Sequence, residues 1–253
     1  MSRAIILSLF AGIVSVSPSF ADPINCASGQ TLQFYHDTYG STGCTIGNFI
    51  ASNFDYALVS LLTPNPVTAT NIIVTPQDNA SGPGFNFAAN WNVSGLGTIE
   101  SGILFHLESA HGMGLTDVTL SATGNRSGLL GSAVVTEVDC LGGLLDLSGF
   151  VLGGLGSVAC TGGGIAASGS ALLPVGTGVN ANALISFNPT SFMMDILKDI
   201  AVTGLLAGSA SVTDIGQSFT QVVPEPGTAG FAAIGLLAGA FARYSRRKRK
   251  SGL

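Results

Sequence analysis

Charge is what this sequence has least of. Only 9% of its 253 residues are charged, against roughly 25% in an average soluble domain. So little charge excludes a charge-driven disordered chain and a coiled coil, whose flanking positions carry ions. Cations are scarcer still. Between Asp22 and Gln221 the only ones are Arg126 and Lys198, against 13 carboxylates, so this stretch carries −11. It lacks the Lys and Arg that phosphate contacts need, which excludes nucleic acid as a partner. Long charge-free apolar runs occur only at the two ends, which excludes a polytopic transporter. There is one tryptophan, and the four cysteines contain no Cys-x-x-Cys, which removes the usual zinc and redox spacings. Glycine is abundant instead, at 35 positions.

The ends read as addresses. Met1-Ser2-Arg3 is a short positive start, Ala4 to Val16 is a 13-residue apolar run, and Ser19-Phe20-Ala21 is a small-x-small end. This is the pattern of a secretory signal peptide, residues 1–21, cleaved after Ala21. As a helix the run reaches only about 20 Å, too short for a membrane core of about 30 Å.

At the other end stand Pro224, Glu225 and Pro226, then uncharged residues from Gly227 to Ala242. Arg243, Arg246, Arg247, Lys248, Arg249 and Lys250 follow. The expected transmembrane helix, about 227–244, is near the short limit for a span. The basic cluster is a stop-transfer signal that stays cytoplasmic. The prolines form a stiff, extended break open to a membrane-embedded protease. From Val223 to Lys250 the order of Pro-Glu-Pro, one apolar span and a terminal basic cluster resembles the PEP-CTERM sorting signal of exopolysaccharide-producing Gram-negative bacteria. That resemblance implies an exosortase-type membrane enzyme as processing partner, and export to the cell surface or extracellular matrix. A sortase signal would need Leu-Pro-x-Thr-Gly before its helix, and Leu173-Pro174-Val175-Gly176-Thr177 is out of pattern and too early. A GPI signal would end in its hydrophobic tail rather than in cations.

Residues 22–221 form the body, and 222–253 the sorting segment. No run in the body has a helical period, while strict alternation recurs. Phe85, Phe87, Ala89, Trp91 and Val93 share one face, as do Ile103, Phe105 and Leu107, and Val118, Leu120 and Ala122. Further strands are expected at 31–36, 56–62, 69–75, 132–140, 182–187, 196–203, 208–213 and 217–223. So many short strands with one apolar face predict an all-β, antiparallel sandwich of jelly-roll-like type. Gly131–Val138 and Gly208–Ile215 match at five of eight positions, as two strands of similar composition would. Segment 141–164, with nine glycines, reads as tight turns or a loop. It lacks the lysine and the strand-loop-helix setting of a phosphate loop.

Cys26, Cys44, Cys140 and Cys160 would meet an oxidising compartment after export. Three pairings are open, and the local ones, Cys26–Cys44 and Cys140–Cys160, are favoured because the second would clip the glycine-rich segment at its base.

Catalytic signals are weak. His106, Glu108 and His111 form one local cluster, but not at zinc-enzyme spacing, and His106 and Glu108 would share a solvent face of a strand. No Gly-x-Ser-x-Gly elbow exists. Glu100, Glu108, Glu137 and Asp139 are carboxylates of the kind glycosidases pair, but sequence does not pair them. Asp195, Lys198 and Asp199 alternate faces if they lie on a strand. Trp91 reads as core rather than sugar platform, and no calcium loop is present. No catalytic residue, metal or cofactor is therefore assigned. The expectation is an exported, non-catalytic surface or matrix protein associated with exopolysaccharide. A carbohydrate-binding or adhesive module is the alternative, and a surface hydrolase comes third.

Overall fold

The computed structural model describes residues 24–61, 66–79, 82–128, 130–146, 158–206 and 208–222. The expected signal peptide, the sorting motif Pro224-Glu225-Pro226, the apolar span and the basic cluster lie outside these residues. Among the described residues no helix is long and apolar enough to cross a membrane.

The body is a sandwich of two six-stranded antiparallel sheets. Its strands are β1 (Gln30–Thr31), β2 (Cys44–Ile46), β3 (Phe49–Leu61), β4 (Ile73–Asn79), β5 (Gly82–Ser94), β6 (Gly97–Ser109), β7 (Gly114–Ser127), β8 (Ser132–Leu141), β9 (Leu144–Asp146), β10 (Ala159–Thr161), β11 (Ile165–Leu172), β12 (Gly176–Ser191), β13 (Met193–Gly204) and β14 (Ser209–Val222). One sheet has the order β1-β4-β5-β14-β7-β12 and the other β11-β8-β13-β6-β3-β2. Strands β9 and β10 pair as a separate two-stranded ribbon. Consecutive strands repeatedly switch sheets, which makes the body an antiparallel sandwich.

Period-2 alternation explains the core. Phe85, Phe87, Trp91 and Val93 on β5, Ile103, Phe105 and Leu107 on β6, and Val118, Leu120 and Ala122 on β7 are all buried. Each large apolar side chain so buried contributes about 1.5–3 kcal/mol. Phe54, Phe85, Phe87 and Phe105 meet at centroid separations of 5.4–6.0 Å. Indole Nε1 of Trp91 donates to Ser101 Oγ at 3.2 Å, so even its polar edge is satisfied inside. The matching segments Gly131–Val138 and Gly208–Ile215 become β8 and β14, one in each sheet.

Four expectations need correction. Residues 31–36 are not a strand. Thr31 N-caps the helix α1 (Leu32–Tyr39), accepting from Phe34 N at 3.1 Å. Leu32, Tyr35 and Tyr39 are its buried face, a 3.6-residue spacing hidden by the helix being only eight residues long. The stretch 69–75 divides into a 3-10 turn, Ala69–Asn71, and the start of β4. The runs 208–213 and 217–223 are one strand, β14. Gly216 is no break there, because a Cβ would meet Ser121 Oγ at 2.4 Å and glycine is what lets β14 lie against β7. Finally, 141–164 is not all turns. It holds β9 and β10, which pair through Leu145 and Cys160, while residues 147–157 lie outside the described chain.

Both cysteine pairs are local disulfides, Cys26–Cys44 and Cys140–Cys160. The first ties the segment before β1 to β2. Beside it the Tyr35 hydroxyl donates to Ala27 O at 2.7 Å, and Ala27 N donates to Tyr39 Oη at 3.2 Å. The helix is thus pinned to the chain that precedes it.

Candidate functional site

Polar chemistry gathers in three places: the outer face of the second sheet, its inner face, and a groove beside α1.

On β6, Ile99, Ser101, Ile103, Phe105 and Leu107 face the core, so Glu100, His106 and Glu108 face outward. On β13 the same alternation puts Asp195 and Asp199 outward and Lys198 inward. Asp195 lies opposite His106, and Oδ1 meets His106 Nδ1 at 2.6 Å. Its Oδ2 accepts from Leu145 N at 2.9 Å, so this carboxylate also ties β9 to the sheet. Further along, Asp199 faces Gly102 and Thr136 across its two neighbours and interacts with Glu100. Burial, and then the Glu100 charge, push the Asp199 carboxyl up to about 7. Glu100 and Asp199 are thus close enough on this face to influence each other's charge. Glu108 is exposed on β6, and His111 sits beyond the strand in the turn before β7. The structure therefore does not bring His106, Glu108 and His111 together. Among the described residues no group of three or more His, Cys, Asp or Glu is placed to hold a metal ion.

On the inner face, Lys198 lies directly opposite Glu137 of β8. Both side chains are fully buried, and Lys198 Nζ donates to Glu137 Oε2. Gln217 of β14, in the facing sheet, donates from Nε2 to Glu137 Oε1 at 2.6 Å. Asp139, two residues along β8, is also wholly buried. Burial first, and the neighbouring Glu137 second, raise its carboxyl well above the usual range, against the opposing pull of Lys198. This cluster was not foreseen, although Lys198 stands in an inward row with Met194, Ile196, Ile200 and Val202. The period-2 pattern on β13 therefore placed an ammonium in the core.

The groove, about 330 Å³, is lined by Gln33 and His36 of α1, Asp55, Tyr56 and Leu58 of β3, and Thr68. The Tyr56 hydroxyl donates to Val67 O at 2.7 Å and lies 2.9 Å from Ser101 Oγ. Burial holds the Tyr56 hydroxyl's pKa above its usual value and so keeps it protonated. His36 Nδ1 and Gln33 Nε2 both approach Asp37 Oδ1, at 2.9 Å. A second, more apolar depression of about 400 Å³ has Ile165 and Phe192 at its rim, each about half exposed. Trp91, by contrast, is fully buried and offers no platform.

No protein-family model and no curated protein sequence matches the chain. Among solved structures it is similar to an enzymatically active domain of bacteriophage CBA120 tailspike protein 4, with 12% identity and a TM-score of 0.33 over 78% of this chain. The chain spans only 22% of that protein's length. It is also similar to the carbohydrate-binding module TmCBM61, solved with beta-1,4-galactotriose (9% identity, TM-score 0.31, 77% of this chain and 100% of that one). A third similarity is to the xylan-binding module CBM15 (14% identity, TM-score 0.25, 67% and 100%). These superpositions are too loose to carry a ligand or an activity across.

Proposed function

We propose that this chain is an exported, non-catalytic surface or matrix protein. In this reading a secretory signal delivers the body, and an exosortase-type enzyme processes the C-terminal Pro224-Glu225-Pro226 segment. The observation that carries it is the pairing of all four cysteines as two disulfides, which belongs to an oxidising compartment outside the cytoplasm. The ends of the sequence supply the route, and the sandwich supplies a compact, sparsely charged body suited to a hydrated polysaccharide matrix. The test is the intact mass of the protein recovered from the surface of its native host. Loss of both Met1–Ala21 and the residues beyond the Pro-Glu-Pro region supports the reading. A full-length C-terminus in the membrane fraction sinks it.

A second reading, a sugar-binding module, rests on the groove beside α1. There a tyrosine, a histidine, a carboxylate and a carboxamide converge on a small open hollow, the mixed lining that orients a polar ligand. Calorimetry with host exopolysaccharide fragments tests it. Binding lost in Asp55→Ala and His36→Ala supports the groove, and binding unchanged in both removes it.

A further inference from the structure

The inner-face cluster contains more than an ion pair needs. Lys198 and Glu137 already satisfy each other's charge, and Gln217 takes the second oxygen of Glu137. Asp139 adds a second buried carboxyl whose two oxygens accept no N–H or O–H from the protein. A buried ion pair is a weak source of stability, because desolvation offsets its attraction. A buried carboxyl with no hydrogen-bond donor beside it calls for an explanation. Read as chemistry, the four groups form a set. Lys198 is an amine nucleophile. Glu137 is an acyl group held against it. Gln217 Nε2 is a donor aimed at the oxygen that would become an oxyanion. Asp139 is a carboxyl that burial, and then the Glu137 charge, bias toward its protonated form.

We propose that Lys198 Nζ and Glu137 Cδ condense spontaneously into an isopeptide bond that staples β13 to β8. A proton first passes from the Lys198 ammonium to Oε2 of the Glu137 carboxylate, leaving two neutral groups in the apolar core. The Nζ lone pair forms a bond to Cδ. The C=O electrons move to Oε1, which Gln217 Nε2 stabilises. Asp139 gives its proton to the departing Oε2 hydroxyl as the Cδ–Oε2 bond breaks and water leaves. Asp139 then recovers a proton from Nζ. The sum is ammonium plus carboxylate giving amide plus one water, with no oxidant or co-reactant. The surroundings favour that direction: an amide needs far less solvation than two ions, and full burial of both side chains shields the product from bulk water. The two residues are 61 apart in sequence, so the staple encloses everything from β9 to β12 between two inner strands of one sheet. This inference does not depend on the sorting reading, and the test below is blind to how the ends are processed.

The sequence offers a direct assay. In the body trypsin can cut only after Arg126 and Lys198, and an acylated lysine is not cut. The full-length protein is denatured, reduced, alkylated and digested. The expected product is one species running from Ser127 through Asp199 to the next cut or the processed C-terminus. Its mass falls short by about 18 Da, one water, and fragmentation places the link at Glu137. Recovery of a free Ser127–Lys198 peptide of unaltered mass overturns the proposal. So does a link mapped to Asp139, or an ammonia loss mapped to Gln217. Asp139→Asn preserves the shape of the side chain but cannot deliver the proton, so most of this variant should be cut after Lys198. Undiminished linkage in that variant removes Asp139 from the mechanism.

Discussion

Gln217 Nε2 on one sheet lies 2.6 Å from Glu137 Oε1 on the other, so the two halves of the sandwich are joined at mid-core by a charge-assisted hydrogen bond. A hydrogen bond to an ionised group contributes about 1.5–3 kcal/mol, and stranding a buried carboxylate costs at least as much. In protein whose Lys198 and Glu137 remain uncondensed, Gln217→Leu should therefore lower the unfolding free energy by an amount in this range. Urea unfolding followed by far-UV circular dichroism measures it. No change would mean that Glu137 finds other partners.

The outer carboxylate pair makes stability fall with rising pH. Asp199 is raised from 3.8 to about 7 in the folded protein, so between those values the folded state holds a proton that the unfolded chain has lost. Its contribution is complete below about pH 4 and is lost as pH rises through about 7. Glu100 and Thr136 are the polar neighbours that face it. Asp199→Asn should flatten that slope, with little change at pH 4 and a gain at pH 8. Thermal melts across this range decide it, and a parallel slope in the variant would assign the effect elsewhere.

The first disulfide should be a larger stabiliser than any single side chain near it. Cys26 and Cys44 are 18 apart in sequence, and closing such a loop restricts the unfolded chain by about 3 kcal/mol. Cys26→Ser with Cys44→Ser should reduce unfolding free energy by that order and loosen α1, whose Tyr35 and Tyr39 bond to Ala27 beside the bridge. Hydrogen exchange of residues 32–39 reads the second effect. Unaltered protection there would separate the helix from the bridge.

Trp91 is the sole tryptophan, and it lies fully buried with its nitrogen bonded to Ser101. Native fluorescence should be blue-shifted, resistant to iodide quenching and unmoved by added sugars. A sugar-induced change at saturating ligand would point to the groove beside α1, whose Tyr56 hydroxyl lies 2.9 Å from the same Ser101 Oγ.

The faces of this protein's long strands were legible in one dimension. Export, sorting and tether are expectations drawn from local runs of apolar and charged residues, which need no partner elsewhere in the chain to be recognised. The inward rows of β5, β6 and β7 follow from alternation, because a pleated strand points successive side chains to opposite faces. That same rule separates Lys198 from Asp195 and Asp199 before any fold is known. Short elements escaped it. The helix Leu32–Tyr39 is too brief to show its period, and β9 and β10 are three residues each, created by pairing rather than by pattern. The sequence by itself determined that Lys198 would lie on the opposite face of its strand from Asp195 and Asp199. Which carboxylates would meet it there was decided by strand register, which set β8 against β13, and by the packing of the facing sheet, which brought Gln217 to Glu137. Both depend on contacts between residues far apart in the chain, and no local signal encodes such contacts.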